Sequence, residues 1–308
     1  MKFFLLLLLI LSFQAFATPG ASLLDSEATV PVFGKIKYRA PKVLSDETPI
    51  VLFHGIYGGA SHRTWRKLLP ELEALGKEVY IMDLPGAGES AKPNRAYSIE
   101  DFDRFVEVFL EEVVKERANI VSESILSNGV LRVAATRPDL VRRAIVLNPS
   151  GVTTLNEAPS EREQRLYDRL ISDDGAAIAF YRNLLNPNSI GYYLSFGFYD
   201  DTLIDDALKA DFIAMRDNID QRFLTLSFVG GQLYRTFEES SQGVFIPVLA
   251  IFGKEYEAFQ DNKISTAADF KKIRPYFEYA EIEKSGASVQ REKPKETAQL
   301  IVDFLVKD

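Results

Sequence analysis

Residues 120–151 read IVSESILSNGVLRVAATRPDLVRRAIVLNPSG, and the fold turns on them. The apolar run that ends here, Asn119 to Ser124, has the length of a strand. From Ile125 the period changes to that of a helix, which stops before Pro138, because the residue preceding proline is turned away from helical backbone. Arg142 to Gly151 returns to a strand.

The same alternation extends in both directions. After a tail to about Val30, residues 32–39 (VFGKIKYR) and 49–55 (PIVLFHG) read as strands, the second almost continuously apolar and so buried on both faces. Residues 78–86 (EVYIMDLPG), 245–253 (FIPVLAIFG) and 278–286 (EYAEIEKSG) follow the same pattern. A helix over 98–114 opens on Ser98 with Asp101 three positions on, and its apolar stripe includes Phe102, Phe105, Val106 and Phe109. Residues 294–308 form a closing helix with Pro294 near its first turn. Strands alternating with helices define an α/β architecture, a mostly parallel sheet covered on both faces. The alternation breaks over 153–243, a helical, Phe- and Tyr-rich segment too long for a loop, which reads as a lid over an apolar cavity. The chain therefore divides into core (18–152), lid (153–243) and core (244–308), after a leader.

Residues 1–17 form that leader. Lys2 precedes an apolar run from Phe3 to Leu11, and Ala15-Phe16-Ala17 is a small-x-small cleavage site, so a signal peptide cut after Ala17 is expected. The run falls short of the ~20 apolar residues a spanning helix needs. The expected destination is the periplasm or the extracellular space. With 36 Lys and Arg against 44 Asp and Glu, the formal net charge is -8, which argues against a nucleic-acid partner. The absence of cysteine excludes disulfides, thiolate metal sites and cysteine nucleophiles. Only His54 and His62 supply imidazoles, no metal-ligand spacing surrounds them, and neither metal nor cofactor is expected.

Four landmarks fall in order along the chain: LFHGIYGGASHRTW (52–65), DLPGAGES (83–90), the unit at 120–151, and the pair IPVLAIFGKEYEAF (246–259) with SGASVQREKP (285–294). With these the sequence resembles the α/β-hydrolase superfamily, in its capped esterase, lipase and haloperoxidase-like branch, from about Val32 to Leu305. The resemblance implies an α/β-hydrolase fold with an inserted helical lid. It also implies a serine nucleophile at a sharp strand-to-helix turn, a histidine to take its proton, a carboxylate to orient that histidine, and two backbone N–H groups facing the oxyanion.

Carried over residue by residue, the resemblance puts Ser124 at the nucleophile position, in Ser122-Glu123-Ser124-Ile125-Leu126. Both flanking glycines of the family's G-x-S-x-G are missing, and the bulk of Leu126 predicts a widened turn or a displaced helix start. The acid position after residue 253 holds Tyr256, flanked by Glu255 and Glu257, and the alternative acid position after the preceding strand holds Asn148. At the histidine position stands Ala287, followed by Glu292-Lys293-Pro294. Ile56 and Ile125 occupy the oxyanion positions, beside His54 and Gly55. Glu123 adjoins Ser124, and strand alternation is expected to turn its side chain into the packing behind the elbow.

Three functions fit this pattern. The first is a triad-deficient member that binds an apolar or acyl-like small molecule under its lid. The second is an active serine hydrolase of ester type, in which His54, Glu123 or Glu255 replaces the missing base. The third is a protein-interaction role with the cavity filled and an apolar patch exposed instead.

Overall fold

The computed structural model describes residues 21–41, 47–256 and 266–307. The expected leader and Glu257 lie outside the described residues. Eight strands form one sheet: β1 (Ser26–Val30), β2 (Gly34–Arg39), β3 (Ile50–Phe53), β4 (Val79–Met82), β5 (Ala118–Glu123), β6 (Val141–Leu147), β7 (Val248–Gly253) and β8 (Glu278–Ile282). Their order is β1-β2-β4-β3-β5-β6-β7-β8. β1 and β2 are antiparallel to each other and β2 to β4, while β4 through β8 run parallel.

The parallel strands show why their sequences are continuously apolar. Val51, Phe53, Ile120, Ala144, Val146, Ala250 and Phe252 belong to one core. The residues between them, Ile50, Leu52, Val121, Ile145, Leu147, Leu249 and Ile251, belong to the other. Each strand thus feeds both faces with a period of two. On the first face lie α2 (Ile99–Phe109) and α3 (Leu126–Thr136); on the second lie α1 (Leu68–Ala74) and, at the end of the chain, a helix over Pro294–Leu305. Ser98 and Asp101 close the capping box at the start of α2. Past Phe109 the helix loosens into a π turn, Leu110–Val114, which ends on Lys115 in left-handed backbone (φ 63°).

Two boundaries differ from the sequence reading. The tail before residue 30 contains β1, an edge strand whose residues alternate between more exposed and less exposed positions along SEATV. The next strand starts at Gly34 because Val32 (φ 73°) and Gly34 (φ 79°) turn the chain into a hairpin. Between β6 and β7 lie six α-helices, α4 to α9: Glu161–Ser172, Asp174–Leu184, Ile190–Ser195, Asp206–Ile213, Arg222–Val229 and Phe237–Ser241. After β7 come α10 (Ala267–Ile273), α11 (Val289–Glu292) and α12 (Pro294–Leu305).

Candidate active site

Ser124 sits where β5 stops and α3 has yet to start, with φ at 55°. Left-handed backbone at a non-glycine residue is strained and persists only where its surroundings impose it. Leu126, whose bulk predicted a widened turn or a displaced helix start, follows this left-handed residue by two positions. The helix begins at Leu126 itself, which turns into the core on the α2 side, and Ser122 is small enough to meet Ser127 Oγ at 3.3 Å. A cavity of about 480 Å³ opens onto Ser124 between the ends of the strands and the inserted helices. Tyr193, Phe196, Phe198, Phe212 and Phe228 of the insertion form much of its wall, with Ala287 and Tyr256 on the core side.

Among the described residues the only hydrogen-bond contact of the Ser124 hydroxyl is Ser150 Oγ, at 3.5 Å. Neither imidazole of the chain is free to act as base. His54 is fully buried; its Nδ1 donates to Gly55 O (2.7 Å), and its Nε2 accepts from Leu84 N–H (3.1 Å). Burial pushes its pKa down to about 4, against the opposing attraction of Asp83. The 3.6 Å approach of His54 Nε2 to Asp83 Oδ1 is therefore no ion pair near neutral pH. His62 is used in the same way: Nδ1 donates to Asp83 Oδ2 (2.9 Å) and Nε2 accepts from Leu23 N–H (3.1 Å). Burial alone would raise the Asp83 carboxyl, but His62 and the Glu89 N–H hold it below the usual carboxylate range. His62, Asp83 and Glu89 bring possible ligand atoms within 4.8 Å of one another. Both nitrogens of His62 and both oxygens of Asp83 already serve internal hydrogen bonds, so this is a structural knot.

The carboxylate candidates are likewise committed. Glu255 accepts from Ser285 N–H (3.1 Å) and donates its own N–H to Ser285 O (3.1 Å), clasping two loops together away from the cavity. It is not in register to serve as the acid. Tyr256 does reach the cavity, and burial raises its phenol. At the alternative acid position Asn148, in left-handed backbone (φ 41°), bridges two segments. Its amide donates to Ala287 O (2.8 Å) and its carbonyl accepts from Gly253 N–H (3.2 Å).

Glu123 corrects the expectation that it turns behind the elbow. It borders the cavity and lies in a nest of donors: Gly55 N–H (2.8 Å), Tyr57 hydroxyl (3.2 Å), Thr64 hydroxyl (3.4 Å) and the Gln290 amide. Burial raises its pKa, with the nearby Arg291 guanidinium and these donors opposing. The N–H groups of Ile56 and Ile125 have no hydrogen-bond partner among the described residues, and both residues are fully buried. An oxyanion hole needs backbone N–H groups without a protein acceptor, and these two positions meet that condition. Sequence reading missed Ser150, Tyr57, Gln290 and Arg291. Arg291 lies in a charged run, REK, that reads as surface, yet it is 7% exposed and lines the cavity.

A strand-to-helix elbow with a serine at its tip, below helices inserted between β6 and β7, defines a hydrolase scaffold. The chain belongs to the α/β-hydrolase fold family, whose model matches residues 48–249. It is 33% identical over 114 residues to a haloalkane dehalogenase of Bradyrhizobium diazoefficiens, 36% of this chain and 35% of that protein. It is 26% identical over 262 residues to the dihydrolipoyllysine-residue acetyltransferase component of an acetoin cleaving system from Pseudomonas putida, 84% of this chain and 64% of that one. The chain thus spans about a third to just under two thirds of the length of these relatives. An α/β-hydrolase-fold protein of Burkholderia ambifaria superposes with a TM-score of 0.70 at 16% identity, over 91% of this chain and 97% of that one. It shares the fold.

Proposed function

We propose that this protein binds an apolar or acyl-like small molecule in the cavity above Ser124 and that its catalytic triad is incomplete. The observation that carries the reading is the state of the two histidines. Each imidazole gives its one proton to a protein acceptor and takes a backbone N–H on its other nitrogen. A serine hydroxyl without a general base is a poor nucleophile near neutral pH, and such assistance contributes about 10²–10⁴-fold. Asn148 supports the same reading, since an amide that cross-links loops has no imidazole to orient. The open cavity speaks against a vestigial pocket.

A second reading, an ester hydrolase acting through Ser124, draws on the retained elbow and the two free N–H groups. Hydrolysis of short- and medium-chain aryl esters by the wild type and by Ser124→Ala separates the two. The binding reading expects rates near background and indistinguishable between the proteins. A fast rate abolished by Ser124→Ala would establish the hydrolase.

A further inference from the structure

Arg291 is the one cation among the described residues that line the cavity. It is 7% exposed, and its guanidinium sits 4.9 Å above the ring of Phe212. Nη2 donates to the Tyr57 hydroxyl at 3.3 Å. Nε is buried without a partner, and Nη1 makes no hydrogen bond to the described residues. A buried guanidinium with donors unused is costly unless a charge or an acceptor meets it. Glu123, the one carboxylate among the described residues that line the cavity, does not meet it directly. Its oxygens are taken by Gly55, Tyr57, Thr64 and Gln290, and Tyr57 links the two charges, donating to Glu123 and accepting from Arg291. The cation therefore faces the cavity with hydrogen-bonding capacity left over.

We propose that Arg291 is an anion subsite which selects ligands carrying a carboxylate on an apolar body. The proposal rests on the cavity-binding reading above and names the chemistry of its ligand. A single guanidinium, with Glu123 held nearby, matches a monoanion better than a phosphate dianion, whose second charge would go uncompensated and face that carboxylate. The aromatic wall formed by Phe196, Phe198 and Phe228 takes the apolar body. A charge-assisted hydrogen bond shielded from water then distinguishes an acid from the alcohol of the same shape.

The test is calorimetric titration of the purified full chain with octanoate against octan-1-ol, and 4-phenylbutyrate against 4-phenylbutan-1-ol, at pH 7.5. Octyl phosphate is the third arm. The acids are expected to bind roughly tenfold or more tightly than the alcohols, the gain a hydrogen bond to a charged group supplies. Arg291→Gln should remove this preference while leaving the alcohols within about twofold, since their apolar burial is untouched. Should Arg291→Gln fail to give a native circular-dichroism spectrum, Arg291→Lys carries the test. It keeps the charge, loses the planar fork, and is expected to weaken acids alone, by roughly threefold or more. Equal binding of acid and alcohol by the wild type would overturn the subsite and leave the cavity reading standing. So would an acid preference that survives in the variant, which would pass to the N–H groups of Ile56 and Ile125. Tighter binding of octyl phosphate than of octanoate would overturn the choice of carboxylate. Failure of every compound to bind would remove the cavity reading and the subsite together.

Discussion

Asn148 shows how a single atom can separate two chemistries. Its amide nitrogen donates to Ala287 O and its oxygen accepts from Gly253 N–H, so one end requires a donor and the other an acceptor. A carboxylate supplies only acceptors. Asn148→Asp should therefore place a charged oxygen against the Ala287 carbonyl and destabilise the fold by about 1–3 kcal/mol at neutral pH. Protonation restores a donor, so the folded state favours the neutral acid and raises its pKa above the unfolded value. The deficit relative to wild type should then shrink as pH falls toward 4, and thermal melts of both proteins at pH 7 and pH 4.5 check this. A deficit that does not change with pH would mean the amide's donor role is unimportant. At this scale the sequence was informative about absences: Ala287 and Tyr256 could be read directly where the family motif has other residues. It was silent on presences. Nothing in REK marks Arg291 as buried, because burial depends on Phe212 and Tyr57, distant in the chain and brought there by the fold.

Between residue and fold stand the connections at the ends of the strands. His54 follows β3, and through Gly55 O and Leu84 N–H it ties that loop to the one after β4. Because burial lowers its pKa from 6.5 to about 4, the folded protein binds this proton less readily than the unfolded chain does. The stability conferred by keeping the ring neutral is complete above about pH 6.5 and drains away as pH falls toward 4, by roughly 3 kcal/mol. The Asp83 carboxyl, depressed below the usual range, titrates below this window. Urea unfolding at pH 7.5, 6 and 4.5 should show the loss. His54→Asn should be less stable at pH 7.5 but flatter across the series; an undiminished slope in the variant would assign the loss to other groups. Element types were legible where an unbroken apolar run of strand length or a capped helical stripe marked them, as in β3 and at the start of α2. β1 was not, because an edge strand with one exposed face and polar residues resembles a tail until its partner β2 is seen.

Across the whole molecule, the inserted helices must be held to the core if the cavity between them is to keep its shape. Glu292 is the fastening point. One oxygen accepts from the N–H groups of Tyr199 (2.9 Å) and Asp200 (3.1 Å) in the insertion. The other accepts from Gly286 N–H (2.6 Å) and the Ser285 hydroxyl (3.1 Å) in the loop that carries Ala287. The backbones it joins are in contact: a Cβ on Gly286 would come within 2.8 Å of Gly197 O. The glutamate of the Glu-x-Pro motif thus retains a structural task although the histidine position is alanine. A glutamine in its place turns an NH₂ toward one pair of donors and leaves that pair without its acceptor, at about 1–3 kcal/mol. The consequence is local, because the parallel strands are packed by cores the clamp does not touch. In Glu292→Gln the amides of Tyr199, Asp200 and Gly286 should therefore exchange with solvent roughly tenfold faster or more, while those of Leu52 and Val121 in the central strands keep their rates. Affinity for whatever ligand the cavity takes should fall in parallel, since part of the wall now opens before the ligand is held. Exchange that accelerates equally everywhere would show instead that insertion and core unfold as one unit.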